Sequence, residues 1–189
     1  ERRQLKLVTI VNPGNPTGVM VPRETLAAIS DLCAAYGVWL VVDNTYELFE
    51  YPGEEPHACI EGPHVLNLFS FSKAFGMMGW RVGYVAYAPS LGLDMLKAQD
   101  TIAICPAVLS QRVALSALDV GDGWVRERVD ALAEQKSLVL DALAPLGPDA
   151  VRGVRDDRVI TAMPSYDTSA LRAAGARRLG RDLLLLQAT

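Results

Sequence analysis

Lys73 is the residue whose setting most strongly suggests covalent chemistry. It lies in FSFSKAFGMMGWRVGY (69–84), directly after an apolar run and among serines and glycines. Most lysines are solvated surface charges, but glycines let the backbone approach a ligand closely. A lysine desolvated in such a pocket loses its proton more readily and can attack a carbonyl carbon. The stretch therefore indicates Schiff-base chemistry at Lys73.

The polar groups around Lys73 indicate a phosphate site. Ser70 and Ser72 offer hydroxyls, and Arg81 offers a planar guanidinium that can hold two phosphate oxygens. An amine beside a phosphate site suits a phosphorylated aldehyde, and pyridoxal 5'-phosphate (PLP) is the common one. The spacing thus favours PLP as the cofactor.

Two further requirements of PLP have candidates in the sequence. The pyridine nitrogen needs a carboxylate, and Asp43 closes the apolar run VWLVVD (38–43). The phenolic oxygen needs hydrogen-bond donors, which Tyr46 and Asn15 could supply. Together with the lysine and the phosphate ligands, these residues would form a complete cofactor site.

An alternation of strands and helices is predicted to position these residues. Residue patterns predict four strands, of which the last three are apolar runs typical of strands buried on both faces. The strands are 5–11, 38–43, VLNLFS ending at Ser70, and 81–87, and the helices are 23–36, 93–103, 107–118 and 124–143. This order predicts an α/β layered sheet whose carboxyl edge carries the site.

The overall composition and charge of the chain limit the partners and the cellular location that we expect. The 189 residues are 50% hydrophobic and 21% charged, with a net charge of -4. This acidic balance gives no reason to expect nucleic acid or an anionic membrane surface as a partner. No apolar run reaches the length of a membrane span. We therefore expect a cytoplasmic protein.

Cysteine and histidine spacing predicts no metal site. Cys33, Cys59 and Cys105 are odd in number and lack the spacing of a disulfide framework or a zinc site. His57 and His64 lie near Cys59 without metal-ligand spacing. Free thiols of this kind favour a reducing compartment.

The composition changes near the end of the chain. Positions 152–189 hold seven arginines and no lysine, and four aspartates and no glutamate. One interpretation is an amphipathic helix across 168–187, and the other is a non-native sequence that follows a reading-frame or exon-boundary error. The predicted division is therefore a partial domain at 1–150 and an atypical, Arg/Ala/Leu-rich tail at 151–189.

Three ordered motifs carry a family resemblance over about 1–150. NPGNPTG (12–18), DNTY (43–46) and SFSKAFGMMGWRVGY (70–84) resemble the class I/II aminotransferases of PLP fold type I. The residue sequence of these motifs, together with LSQR (109–112) and GWVRERV, is most similar to the plant-type aromatic and methionine aminotransferase branch. The resemblance implies a fold type I large domain with a mostly parallel central sheet flanked by helices, incomplete at both ends and running into the start of the small domain.

The resemblance also implies a role for each matching residue. Lys73 would form the Schiff base with PLP and move the proton between Cα and C4'. Asp43 would pair with the pyridinium nitrogen, and Asn15 and Tyr46 would hydrogen-bond the phenolate oxygen. Phosphate would be bound by Ser70 and Arg81, with Ser72 as a further candidate, and Asn15-Pro16 is a candidate cis peptide bond.

The implied reaction transfers an amino group from an L-amino acid to a 2-oxo acid in a homodimer. Carbon-sulfur lyases and aminocyclopropane-carboxylate synthases share this cofactor site and remain alternatives. A catalytically inactive fragment is a third, because the family's other phosphate ligands and its substrate-carboxylate arginine are not matched in this sequence.

Overall fold

The computed structural model of the chain describes residues 5–16, 18–51 and 56–146. Its strands are β1 (Leu7–Val11), β2 (Trp39–Asp43), β3 (Val65–Ser70) and β4 (Gly83–Tyr87), and its α-helices are α1 (Arg23–Ala35), α2 (Gly92–Ile102), α3 (Val108–Val120) and α4 (Asp122–Leu143). The four strands and four helices predicted between residues 5 and 143 are thus present, with bounds that differ by up to two residues. The predicted tail at 151–189 lies outside the described residues.

The four strands form one mixed sheet in the order β1-β2-β3-β4. The first three strands are parallel, with Val11 opposite Asp43 and Asp43 opposite Leu68, whereas β4 runs antiparallel to β3. Helix α1 makes the crossover from β1 to β2 that a parallel pair requires. The predicted α/β class with a mostly parallel sheet is therefore confirmed.

Helix α1 is bounded by residues that favour its start and its end. It begins after Pro22 and ends before Gly37, whose φ of 62° suits glycine. Its inner side buries Leu26 and Cys33. The main core cluster then joins this helix to one face of the sheet through Cys33, Val38, Leu40, Val42 and Val65.

The prediction that the last three strands are buried on both faces is wrong for β4 and holds only in part for β2 and β3. In β4, Tyr84 and Tyr87 are 46% and 38% exposed. β4 lies at the edge of the described sheet and pairs with a neighbour on one side only. In β2, Leu40 and Val42 are buried, but Trp39 is 38% exposed because α1 covers one face of the sheet.

Helices α3 and α4 pack against the loops that leave β2 and β3. Phe71 and Met77 form a cluster with Val82 and with Ala114 of α3. Tyr51 forms another with Val125 and Val129 of α4. These two clusters fix the loop segments that carry the candidate site. Among the described residues, no helix has both the length and the apolar composition needed to cross a bilayer.

Candidate active site

The candidate site lies at the carboxyl edge of the three parallel strands, where their following loops meet. The Asn12 amide donates to the Asp43 carbonyl at 2.9 Å, and the Asn44 amide donates to the Leu68 carbonyl at 2.8 Å. These bonds extend the β1-β2 and β2-β3 pairing past the strand ends. The loops that carry Asn15, Tyr46 and Lys73 therefore start side by side.

Asn15 and Tyr46 are brought together across 31 residues of sequence. The Asn15 side-chain amide donates to the Tyr46 hydroxyl at 2.8 Å. The loop of Asn15 is turned by a 2.7 Å bond from the Gly18 amide to the Gly14 carbonyl, and the Asn15-Pro16 peptide is cis, as the sequence predicted. Tyr46 is buried and Asn15 is exposed, so this hydrogen-bonded pair lies at the surface of the protein, at the carboxyl edge of the sheet.

The Asp43 side chain is held by the turn that directly follows it. Its Oδ1 accepts from the Thr45 amide at 3.0 Å and from the Thr45 hydroxyl. Its Oδ2 has no hydrogen-bond donor among the described residues. The half-buried carboxylate is thus oriented by one oxygen while the other stays available to a ligand.

Two buried asparagines that the sequence did not single out hold the segment next to Asp43. Asn44 donates to Asn67 Oδ1 at 3.1 Å and to the Val42 carbonyl at 3.2 Å, and Asn67 donates to the Ile60 carbonyl at 2.9 Å. This network ties β2 to β3 below the site. An asparagine inside the apolar run of β3, and another directly after β2, were the signal that could have found it.

Lys73 lies in the turn after β3. The Gly76 amide donates to the Lys73 carbonyl at 3.0 Å, with Gly76 at a φ of 65°. Lys73 Nζ lies 5.8 Å from the centroid of the Tyr46 ring. The side chain is exposed among the described residues, so these residues by themselves do not enclose it in a pocket.

The predicted phosphate ligands form a cluster beside Lys73. Arg81 Nη1 lies 3.4 Å from Ser72 Oγ and donates to the Met78 carbonyl at 3.0 Å. The Ser72 amide donates to Ser70 Oγ at 3.1 Å. Arg81 has a left-handed backbone with φ 51°, which returns the chain toward β3. Two hydroxyls and a guanidinium therefore share one small region.

Glu47, His57 and Cys59 form a second group, which the sequence predictions did not include. One ligand atom from each lies within 4.8 Å of the others. Burial, then the charges of Asp122 and Glu50, raises the pKa of Glu47 to about 7. Burial also lowers the pKa of His57 and raises the pKa of Cys59. We call these three residues the Glu47–His57–Cys59 cluster.

Comparison with known proteins identifies the family. The family described as "Aminotransferase class I and II" matches residues 1–155. The chain is 51% identical over 151 residues to "Aromatic aminotransferase ISS1" of Arabidopsis thaliana, covering 78% of this chain and 38% of that protein. It is 36% identical over 154 residues to "Valine--pyruvate aminotransferase" of Mycobacterium tuberculosis, covering 77% and 38%. The chain thus spans about two fifths of the length of the relatives that it matches.

Solved structures give the same result for the fold. An aminotransferase from Mycobacterium tuberculosis superposes with a TM-score of 0.72 at 30% identity, over 82% of this chain and 41% of that one. Aspartate aminotransferase from Thermus thermophilus with maleate superposes with a TM-score of 0.68 at 28% identity, over the same shares. With the three motifs at one sheet edge, these matches show that the chain belongs to the class I and II aminotransferases, a PLP-dependent family of fold type I.

Proposed function

We propose that the protein containing this chain is a PLP-dependent transaminase that moves an amino group from an L-amino acid to a 2-oxo acid. One observation carries the proposal: the lysine, the Asn15–Tyr46 pair, the aspartate and the phosphate cluster all lie at the ends of adjacent strands. We assign residues 1–150 to the large domain and the start of the small domain, as the sequence predicted.

The residues fit PLP by the chemistry of their donors and acceptors. Asp43 Oδ2 has no donor among the described residues, and a pyridinium N–H would supply one. The Asn15–Tyr46 pair would donate to the phenolate oxygen, while Ser70, Ser72 and Arg81 would bind phosphate. An anionic group, a cationic cluster and a polar pair thus match three different parts of the cofactor.

Bound PLP supplies an electron-withdrawing ring and an aldehyde that can form an imine with an amine. Lys73 Nζ would be the group that holds the cofactor at its aldehyde carbon, and the Lys73 amine would be the base that moves a proton between the substrate Cα and C4'. Asp43 would keep the ring nitrogen protonated through its negative charge. The Tyr46 hydroxyl, oriented by Asn15, would stabilise the phenolate.

We further propose aromatic amino acids or methionine as donors, a homodimer as the working form, and a cytoplasmic location. The name of the Arabidopsis relative, an aromatic aminotransferase, supports the aromatic donor. The large apolar side chains that α3 exposes support a subunit partner. The proposed location comes from the sequence composition.

The first test traps the cofactor on Lys73. The purified chain is mixed with PLP, reduced with borohydride and digested, and the modified peptide is identified by mass spectrometry. We expect one phosphopyridoxyl group on Lys73 and its loss in Lys73→Ala. The matched control is Lys97→Ala, an exposed lysine paired with Asp94 on α2, which should leave the adduct unchanged. Labelling that persists in Lys73→Ala would contradict the assignment.

The second test measures the reaction. An aromatic amino acid and a 2-oxo acid are supplied, and both products are measured by chromatography, with the complete parent protein assayed in parallel. Formation of the aromatic 2-oxo acid together with the new amino acid supports transamination. A parallel assay replaces the aromatic amino acid with an S-substituted cysteine, and release of a thiol, pyruvate and ammonia without amino transfer would instead support a carbon-sulfur lyase. An adduct on Lys73 without turnover by the 189-residue chain would mean that this chain binds PLP but is inactive alone.

A further inference from the structure

The Glu47–His57–Cys59 cluster has the donor set and the proximity of a metal site. One carboxylate oxygen, one imidazole nitrogen and one thiol sulfur lie within 4.8 Å of one another. In a tetrahedral zinc site the ligand atoms are about 3.5 Å apart, as follows from bond lengths of about 2.0 to 2.3 Å. The difference of about 1 Å is within reach of rotation about the side-chain bonds.

The His57 ring has a buried nitrogen that could accept a ligand. Its Nε2 is buried and has no hydrogen-bond partner among the described residues. Burial lowers the pKa of His57, and the charge of Glu50 and the backbone of Asn12 partly oppose this shift. A histidine ligand usually bonds a carbonyl or carboxylate through one nitrogen and the metal through the other. A buried ring nitrogen without a partner, on a residue of the mixed donor cluster, is therefore a second sign of a ligand.

The charges around the cluster favour a cation. After burial, two other carboxylates, Asp122 and Glu50, contribute most to the raised pKa of Glu47. After burial, the charges of Glu47 and Glu61 raise the pKa of Cys59. The negative charges of the Glu47 carboxylate and the Cys59 thiolate repel each other in this partly buried region. A divalent cation between them would offset that repulsion.

We propose that Glu47, His57 and Cys59 bind a zinc ion, with a water molecule at the fourth position. A sulfur, a nitrogen and an oxygen ligand suit Zn²⁺, whereas Mg²⁺ and Ca²⁺ take oxygen ligands. Binding requires the thiolate, so the Cys59 proton is released to solvent when the Zn–S bond forms. Sequence spacing missed the site because Glu47 lies ten residues before His57 and only folding brings them together.

One proposed ligand lines an open cleft, and the site lies beside the cofactor residues. Cys59 lines an open cleft of about 540 Å³, with Phe69 and Tyr87 on its wall. Glu47 follows Tyr46 directly in the chain. Zinc would therefore be bound at the segment that carries Tyr46, without using any residue of the cofactor site.

The test measures zinc affinity of the full chain directly. Chelator-treated protein is titrated with Zn²⁺ against a chromophoric competitor, and Co²⁺ serves as a spectroscopic probe in a parallel titration. We expect one Zn²⁺ per chain and a thiolate-to-cobalt charge-transfer band. Cys59→Ala should abolish the band, and His57→Ala and Glu47→Gln should each weaken zinc binding at least about 10-fold, the lower end of what even outer-shell changes cost.

Cys105→Ala is the matched control, because Cys105 is an exposed cysteine away from the cluster. It should keep both the band and the affinity of the unmodified chain. Circular dichroism checks the fold of each variant, and Glu47→Gln, which conserves the shape of the side chain, keeps the test decisive if the alanine variants unfold. Absence of stoichiometric binding, binding that persists in urea, or equal weakening in Cys105→Ala would each overturn the proposal.

Discussion

At the scale of single residues, the hydrogen bond between Asn15 and Tyr46 organises the candidate site. The bond joins the loop after β1 to the loop after β2 at 2.8 Å. It orients the hydroxyl on the side of the site where Lys73 Nζ lies 5.8 Å from the same ring. Asn15 would thus act on the cofactor through its own amide and through the hydroxyl that it orients, so its loss should lower cofactor affinity.

Asn15→Ala tests this positioning. The lost hydrogen bond is worth about 0.5 to 1.5 kcal/mol, so we expect PLP to bind about 2- to 10-fold more weakly. Fluorescence titration with PLP measures the affinity. Gln99→Ala, an exposed amide on α2, is the control and should bind PLP as the unmodified chain does. Unchanged affinity in Asn15→Ala would remove the pair from the proposed site.

At the scale of elements, the antiparallel direction of β4 explains how Arg81 reaches the serines. Gly83 pairs with Ser70 at the end of β3, so the residues just before β4 lie beside the residues just after β3. A parallel strand would have carried Arg81 to the opposite edge of the sheet. The turn between the strands therefore builds the phosphate cluster.

Gly83→Ala should disrupt this pairing. An added Cβ would lie 2.5 Å from the Phe69 carbonyl oxygen, a backbone atom that cannot rotate away. We expect the free energy of unfolding to fall by about 1 to 3 kcal/mol, as overpacking does elsewhere, together with weaker binding of PLP. Urea denaturation measures the first and fluorescence titration the second.

Gly92→Ala is the control for that change. A Cβ at Gly92 meets no atom within 4 Å, and the residue begins α2. Alanine favours helix over glycine by about 1 kcal/mol, so stability should stay unchanged or rise by up to that amount. Equal stability of both variants would show that the β3-β4 approach tolerates a side chain.

The sequence predicted the sheet, its helices and seven candidate site residues, for reasons visible in particular positions. Apolar runs that end in Asp43 and Ser70 located the strand ends, and parallel strands bring such ends to one edge. Strand direction and exposure were not predictable, because Tyr84 and Tyr87 have the residue types of buried strand positions. The Glu47–His57–Cys59 cluster was missed since no local spacing encodes it.

At the scale of the whole molecule, α3 is apolar on two opposite sides. Its inner side buries Ala114 against the loop of Phe71, while Val108 and Leu115 on the other side are 62% and 61% exposed. Several large apolar side chains exposed on one helix are typical of a surface that a protein partner covers. We therefore expect the outer side of α3 to be covered in the proposed dimer.

Replacing Val108 by Thr and Leu115 by Gln should weaken this association. Burying one such side chain contributes about 1.5 to 3 kcal/mol, so losing two should raise the dimer dissociation constant at least about 10-fold. Sedimentation velocity over a range of concentrations measures it. Ala98→Gln, at an exposed position of α2, is the control. Unchanged self-association in the double variant would place the subunit contact elsewhere.

The exposed side of α3 has a consequence for the life of the chain in a cell. Chaperones and proteases act on chains that display apolar surface, so steady-state abundance depends on how much of that surface is covered. Val108 and Leu115 would then act as a signal for turnover until a partner hides them. The cellular half-life of the chain becomes a measure of its assembly.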